Sequence, residues 1–392
     1  MKTIPIRLDT APLLHTLPPL SLYIHIPYCV QKCPYCDFNS HAIKNRLPEQ
    51  EYADALLWDL QQELPHIWGR KIHSIFIGGG TPSVFQAATI DYLLNNIRAL
   101  LPITPECEIT IEANPNSSDA EKFADLRCAG VNRLSIGVQS FHHQHLQALG
   151  RIHNEKEAMQ AIEIATKIFD KVNVDLMYGL PNQTAENAVQ DIKTAIHLGV
   201  SHISAYQLTV EPNTAFGFRQ PENLPDDDLL YEIEQSVHNT LFNHGFHRYE
   251  ISAFARNQPN RCYHNLNYWH FGDYVGIGAG SHGKISYPDK ITRTSKLRSP
   301  DAYINAENKD STRFTIQNKD LPFEFMMNAL RLIDGVPDTL FSERTGLPLQ
   351  LIENKLNLLK QQGLLLDDTK QLVATPQGIN YLNDILTQFL TE

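Results

Sequence analysis

The first two thirds of the chain alternate between short β-branched, apolar runs and longer stretches with apolar residues at helical spacing. The short runs Ser21–Ile26, Ser74–Ile77, Glu108–Ile111, Arg133–Val138, Val172–Met177 and His202–Thr209 predict strands. Glu51–Leu64, Ala88–Leu100, Glu155–Ile168 and Glu186–Leu198 predict the helices between them. Strands alternating with helices predict a parallel sheet with right-handed crossovers. Six such units fall short of the eight that close a barrel. The predicted core is therefore α/β, a partial (β/α)6 barrel of TIM type.

Polar and glycine-rich clusters follow nearly every predicted strand: Tyr28–Cys36, Gly78–Pro82, Glu112–Pro115, Gln139–Ser140, Gly179–Pro181 and Glu211–Pro212. The loops that lead into the strands lack this enrichment. Parallel α/β folds bind ligands at the carboxyl ends of their strands. The six clusters therefore mark one predicted binding face.

After residue 213 the alternation fades. Leu224–Gly245 predicts a helix, Phe246–Tyr274 is rich in aromatic residues and His, and Gly276–Gly283 is a glycine run. Residues 285–320 are polar and poorly periodic. Beyond them, Phe323–Ile333, Thr339–Thr345 and Leu349–Gln362 predict helices, and Leu364–Asp367 with Gln371–Ala374 predicts a hairpin. These elements outline a winged-helix-like α+β domain. The expected division is an N-terminal extension (1–20), the barrel (21–215), an extension of the core (216–320) and the C-terminal domain (321–392). Winged helices often bind DNA. Residues 321–392 hold nine acidic against five basic residues, the wrong sign for phosphate. A structural or protein-contact role is expected for this domain.

The 392 residues carry a formal net charge of −11, which argues against nucleic acid as a partner. The N-terminus has no apolar h-region. No run approaches the ~18 apolar residues of a membrane span. A soluble, cytoplasmic protein is expected.

Of the six cysteines, Cys107, Cys128 and Cys262 stand alone, and packing is their default role. Cys29, Cys33 and Cys36 form C-x-x-x-C-x-x-C after the first predicted strand. Structural zinc usually takes four ligands, so a zinc site completed by a distant His stays open as a reading. Three thiolates on a four-iron cluster leave one iron without a protein ligand. The amino and carboxylate groups of S-adenosylmethionine (SAM) can chelate that iron. An electron from such a cluster splits the sulfonium and yields a carbon radical.

Tyr23-Ile-His-Ile-Pro-Tyr-Cys29 through Cys36 resembles the cluster loop of radical SAM proteins. Gly78-Gly-Gly-Thr-Pro82, Glu112-Ala-Asn-Pro115, Arg133-Leu-Ser-Ile-Gly-Val-Gln-Ser140, Leu149-Gly-Arg151 and Asp175-Leu-Met-Tyr-Gly-Leu-Pro181 extend the resemblance along most of the chain. The branch it points to holds oxygen-independent coproporphyrinogen III oxidase and the HemW-type haem chaperones. The resemblance implies a [4Fe–4S] cluster on Cys29, Cys33 and Cys36. It implies a SAM set of Tyr23, Gly79, Gly80, Thr81, Glu112, Gln139, Arg151 and Asp175, with Tyr35 and Thr209 as weaker members. Glycines allow close backbone approach, so the N–H groups of Gly78–Gly80 are candidates to face the amino-acid portion of SAM, while the resemblance implies contact with its amino group through the carbonyls of this segment. Carboxylates accept from a ribose or an ammonium.

Two features separate the branches. The oxidases carry a further Cys two residues after the third cluster Cys, where this chain has Phe38. His264-Asn-Leu-Asn-Tyr-Trp269 resembles the H-N-x-x-Y-W signature of the haem chaperones, and the glycine run follows it as in that family. The resemblance makes His264 a haem-iron ligand or attachment point, with aromatic neighbours on the porphyrin face. The residues alone also describe a packed aromatic cluster around a hydrogen-bonded His. The expected function is a haem chaperone. It would bind haem and a SAM-ligated cluster and deliver haem to an acceptor protein, a membrane-bound respiratory enzyme being one candidate. A homodimer is compatible with it. The alternative is the oxidase, which converts coproporphyrinogen propionates to vinyl groups by radical decarboxylation.

Overall fold

The computed structural model describes residues 12–44, 46–115 and 120–390. The six predicted strands form β1 (Leu20–Ile26), β2 (Ile72–Gly79), β3 (Ile103–Ala113), β4 (Arg133–Gln139), β5 (Lys171–Tyr178) and β6 (His202–Gln207). Six more join them: β7 (His247–Arg248), β8 (Ala253–Ala255), β9 (Asp273–Ile277), β10 (His282–Tyr287), β11 (Lys290–Lys296) and β12 (Asp310–Thr315). The order across this twelve-stranded sheet is β12-β11-β10-β9-β1-β2-β3-β4-β5-β6-β8-β7.

The strands from β9 through β1 to β6 run parallel. β9 is a seventh parallel strand, paired with β1 from Leu20↔Asp273 to Ile24↔Ile277. Among the described residues nothing pairs β6 with β9. β6 turns instead to antiparallel β8, and β9 to antiparallel β10. The barrel is open.

β1 is buried along its length except for the half-buried Tyr23, as a strand inside a parallel sheet must be. Leu22, Ile24, Ile75, Ile77, Ile111, Leu134, Ile136 and Val174 fill the central core. Capping boxes start two of the crossover helices. Asn154 and Glu157 exchange side-chain-to-backbone hydrogen bonds at the start of Glu155–Ile168. Thr184 and Asn187 do the same at Ala185–His197. Among the described residues no helix is long and apolar enough to cross a membrane.

The polar stretch 285–320 is more regular than its periodicity suggests, since it builds half of β10, all of β11 and β12, and the helix Pro300–Asn305. Inward-facing lysines hide the apolar pattern. Lys284 Nζ donates to Asp273 Oδ1 at 2.8 Å. Lys296 Nζ donates to Asp59, Glu63 and Asp310 at 2.6–2.7 Å. Such buried charges persist only when paired.

Residues of the C-terminal region form a second core with Leu14, Phe271, Ile291 and Ile316. The expected hairpin reduces to a bridge between Leu365 and Ala374. Its second strand, Gln371–Leu372, pairs with Val336–Pro337 instead, because Leu372 and Val336 are both buried in that core. The expected N-terminal extension lies outside the described residues up to position 11.

Candidate functional site

After β1 the chain pairs Tyr28–Cys29 in parallel with His41–Ala42, pinching residues 30–40 into one projecting loop. Lys32 Nζ ties the loop by donating to the carbonyls of Phe38 and Ser40. Cys29 is buried there, while Cys33 and Cys36 are half-buried. All three are free thiols. Cys36 N–H donates to Cys33 O at 3.2 Å, Cys36 Sγ lies 3.6 Å from Ser40 Oγ, and Arg151 Nη1 donates to Cys33 Sγ at 3.5 Å. The end of β2 passes so close that a Cβ on Gly80 would lie 2.8 Å from Cys29 Sγ. Only glycine fits. Among the described residues no three His, Cys, Asp or Glu side chains meet around one ion-sized point. A four-iron cluster takes each thiolate on a different iron, which three thiols on one loop suit.

The loop walls a cavity of about 120 Å3. Of the expected set, Tyr35, Gly79, Gly80, Thr81, Glu112, Gln139, Arg151 and Asp175 line it together with the three cysteines. Tyr35 comes from the loop after β1, Gly79, Gly80 and Thr81 from the end of β2 and just beyond it, Glu112 and Gln139 from the ends of β3 and β4, Asp175 from within β5, and Arg151 from beyond the helix His143–Ala148. Arg151 Nη2 donates to Asn114 Oδ1 at 2.8 Å and to Gly137 O at 2.5 Å, and its buried Nε has no partner among the described residues. Asn114 Nδ2 donates to Thr81 Oγ1 at 3.0 Å. Gln139 sits at φ 72°, a left-handed conformation worth ~1–3 kcal/mol of strain in a non-glycine residue. The sheet register slips there, and Gln139 Oε1 accepts from Tyr206 O–H at 2.8 Å.

Asp175 accepts from Asn173 Nδ2 at 2.8 Å and from Ser135 Oγ at 3.1 Å. Burial raises its pKa against those hydrogen bonds. Burial, then the nearby Asp175, push Glu112 up to about 8, although Gly79 N–H donates to it at 3.1 Å.

Three expectations change. The glycine N–H groups are already used: Gly79 N–H by Glu112, and Gly80 N–H by Ile26 O at 2.9 Å. That leaves the carbonyls, the contact that the resemblance implies, as what the segment can offer a ligand. Thr209 is exposed in the irregular segment beyond β6 and lines no cavity around the cysteines. Tyr23 lines a second cavity, with its hydroxyl 2.9 Å from His25 Nδ1.

That second cavity has a volume of about 650 Å3 and shares Phe38, Gly79 and Glu112 with the first. Tyr23, Tyr268, Trp269 and Tyr274 give it an aromatic wall. His25, His282, Lys296 and Arg298 line its polar side. Among the described residues the exposed Arg298 guanidinium makes no hydrogen bond or ion pair. Asn114, Tyr206, His282 and Arg298 were not singled out from the sequence. Asn114 lies inside a quoted motif and His282 inside the glycine run Gly276–Gly283, while Tyr206 and Arg298 carry no local signal.

His264 does not line either cavity. It lies in the first turn of the helix Tyr263–Trp269 and is 1% exposed. Its Nδ1 lies 2.9 Å from Ser74 Oγ and its Nε2 2.8 Å from Tyr268 Oη. Burial pushes its pKa down to about 3. Both nitrogens are engaged, so the expected iron ligand has no open lone pair in this arrangement. The geometry is that of a packed, hydrogen-bonded His. Below it, Glu108 Oε1 accepts from Tyr263 N–H at 2.8 Å and from His264 N–H at 3.3 Å, capping the helix.

An open parallel barrel with three thiolates and a polar cavity at its carboxyl face defines a radical SAM scaffold. Residues 23–195 match the Radical SAM superfamily and residues 316–381 the HemN C-terminal domain. The heme chaperone HemW of Haemophilus influenzae is 48% identical over 382 residues, covering 96% of this chain and 99% of that protein. Its Escherichia coli counterpart is 47% identical over 378 residues, with the same coverage. In structure, the E. coli coproporphyrinogen III oxidase HemN, a radical SAM enzyme, superposes with a TM-score of 0.80 at 23% identity. That match covers 95% of this chain and 90% of the oxidase, and it speaks for the fold. The chain belongs to the radical SAM superfamily and, within it, to the family of the heme chaperone HemW.

Proposed function

We propose that this chain binds haem in the larger cavity and passes it to an acceptor protein, with a SAM-bound [4Fe–4S] cluster in the smaller one. The observation that supports this is the pairing of the cavities through Phe38, Gly79 and Glu112. The aromatic wall of Tyr23, Tyr268, Trp269 and Tyr274 suits the face of a macrocycle. Arg298, also in the lining, suits propionate carboxylates. The volume, about 650 Å3, falls in the ~300–1,000 Å3 range of ligand and cofactor sites. The HemW relatives are named as heme chaperones.

Cys29, Cys33 and Cys36 would hold the cluster, which when bound supplies an open iron for SAM and an electron for its sulfonium. The chain's own residues do the rest. Arg151 keeps a positive charge beside Cys33. Glu112 and Asp175 offer acceptors to an ammonium or to ribose hydroxyls. Gln139, held by Tyr206, closes the far wall. Delivery would be to a haem-requiring acceptor, a membrane-bound respiratory enzyme being one candidate, from the cytoplasm. Dimerisation is compatible with this role.

The oxidase reading meets Phe38. It is 62% exposed, lines both cavities, and stands where the oxidases are expected to carry a thiol. The deciding experiment reconstitutes the cluster anaerobically and supplies SAM, reductant and coproporphyrinogen III. Hemin is titrated in parallel. One haem bound per chain without decarboxylated tetrapyrrole is expected. Stoichiometric vinyl product would make the chain an oxidase.

A further inference from the structure

The glycine run Gly276–Gly283 takes no part in the reading above. In the structure it ends β9, turns, and opens β10 with His282. Gly280 lies at φ +78°, and a Cβ there would come 2.4 Å from Asn39 Nδ2. That Nδ2 donates to the carbonyls of Ala279 at 2.8 Å and Arg298 at 2.9 Å. Asn39 O in turn accepts from His25 Nε2 at 2.9 Å. The glycine turn is thereby clamped against the cysteine loop, and pairing with Ser295 fixes the backbone of His282. The clamp sets His282 in the lining of the larger cavity.

Two imidazoles line that cavity, His25 and His282. Both nitrogens of His25 are taken, Nδ1 by Tyr23 and Nε2 by Asn39 O. His264, outside the lining, is equally committed to Ser74 and Tyr268. Among the described residues His282 makes no side-chain hydrogen bond, and it is exposed. An iron ligand needs an unengaged imidazole nitrogen facing open space.

We infer that His282 is the residue that ligates the iron of ferric haem in this cavity, and that His264 is a positioning residue that holds Tyr268 in the wall. This rests on the haem reading above. The step is a ligand exchange: an imidazole nitrogen gives its lone pair to the iron and an axial water leaves, with no change of oxidation state.

The test titrates hemin into the full chain carrying its cluster, with optical and electron paramagnetic resonance spectra as the readout. Wild type is compared with His282→Gly, His282→Met and His264→Gln. His282→Gly is expected to bind at least about tenfold more weakly, the lower end of what loss of even an outer-shell partner costs a metal. It should lose the imidazole-ligated spectrum and regain it on addition of free imidazole. His282→Met should shift the spectrum to that of a thioether ligand, and His264→Gln should keep the imidazole signature. His282 is exposed, so its variants should melt with the wild type. A folded His282→Gly with an unchanged spectrum would overturn the inference, as would loss of the imidazole signature in His264→Gln alone. A wild-type chain that takes up no hemin would instead overturn the haem reading itself.

Discussion

Arg151 donates from Nη1 to Cys33 Sγ at 3.5 Å while its Nη2 donates to Asn114 Oδ1 at 2.8 Å. One guanidinium thus joins a sulfur donor to the end of β3. Groups that hydrogen-bond a metal's ligands typically contribute about 10–100-fold to its retention. Arg151→Met is expected to lose its iron at least about tenfold more readily than the wild type. Arg151→Lys, which keeps the charge but not the planar fork, should fall between the two. Iron and sulfide per chain after desalting report this. Equal retention in all three proteins would remove Arg151 from the support of the cluster.

Glu112 carries an ordinary carboxyl pKa of 4.5 when unfolded and one of about 8 when folded. Below pH 4.5 both states hold the proton, and the folded state has no penalty. As pH rises from there, the unfolded carboxyl ionises while the buried one does not. Stability therefore falls, by at most about 1.4 kcal/mol per pH unit, and levels off above the folded pKa. Glu112→Gln has no such proton. It should gain on the wild type steadily from pH 5 to pH 8 in urea-unfolding midpoints. Two parallel pH curves would show that Glu112 titrates normally.

Glu108 supports the Tyr263–Trp269 helix from below and faces two cations. Its Oε2 lies 3.5 Å from Lys171 Nζ and 3.8 Å from Arg133 Nη1, and Arg133 is 1% exposed. Glu108→Leu strands that buried guanidinium and uncaps the helix, so it should cost about 3–5 kcal/mol. Glu108→Gln keeps an acceptor for the cap and should cost less, about 1–3 kcal/mol. Chemical denaturation separates the two. A Glu108→Leu chain as stable as the wild type would show that the ion pair and cap contribute nothing net.

What was legible in the sequence was local. The spacing of Cys29, Cys33 and Cys36 fits one loop after β1, and Gly79, Glu112 and Gln139 each end a strand whose period is plain. Thr209 shares that strand-end signal and still misses the cavity. The chain leaves β6 toward the helix Ala215–Phe218, where Phe216 N–H donates to Pro34 O at 3.0 Å. His264 was legible as part of a signature, but the direction of its ring was not. Ser74, 190 residues earlier, decides that.

The sequence by itself therefore determined the α/β alternation, the polar clusters at the carboxyl ends of the strands and the three-cysteine loop, because period and short spacing are properties of single segments. Only the tertiary structure decided that β9 lies beside β1, that Lys284 and Lys296 point inward, and that His282 lines the larger cavity while His264 does not. Each of these depends on partners far away in the chain: Leu20 for Asp273 of β9, Asp59 for Lys296, Asn39 for the glycine turn. A polar residue reads as exposed until the group that satisfies it is in place, and no local pattern records where that group will be.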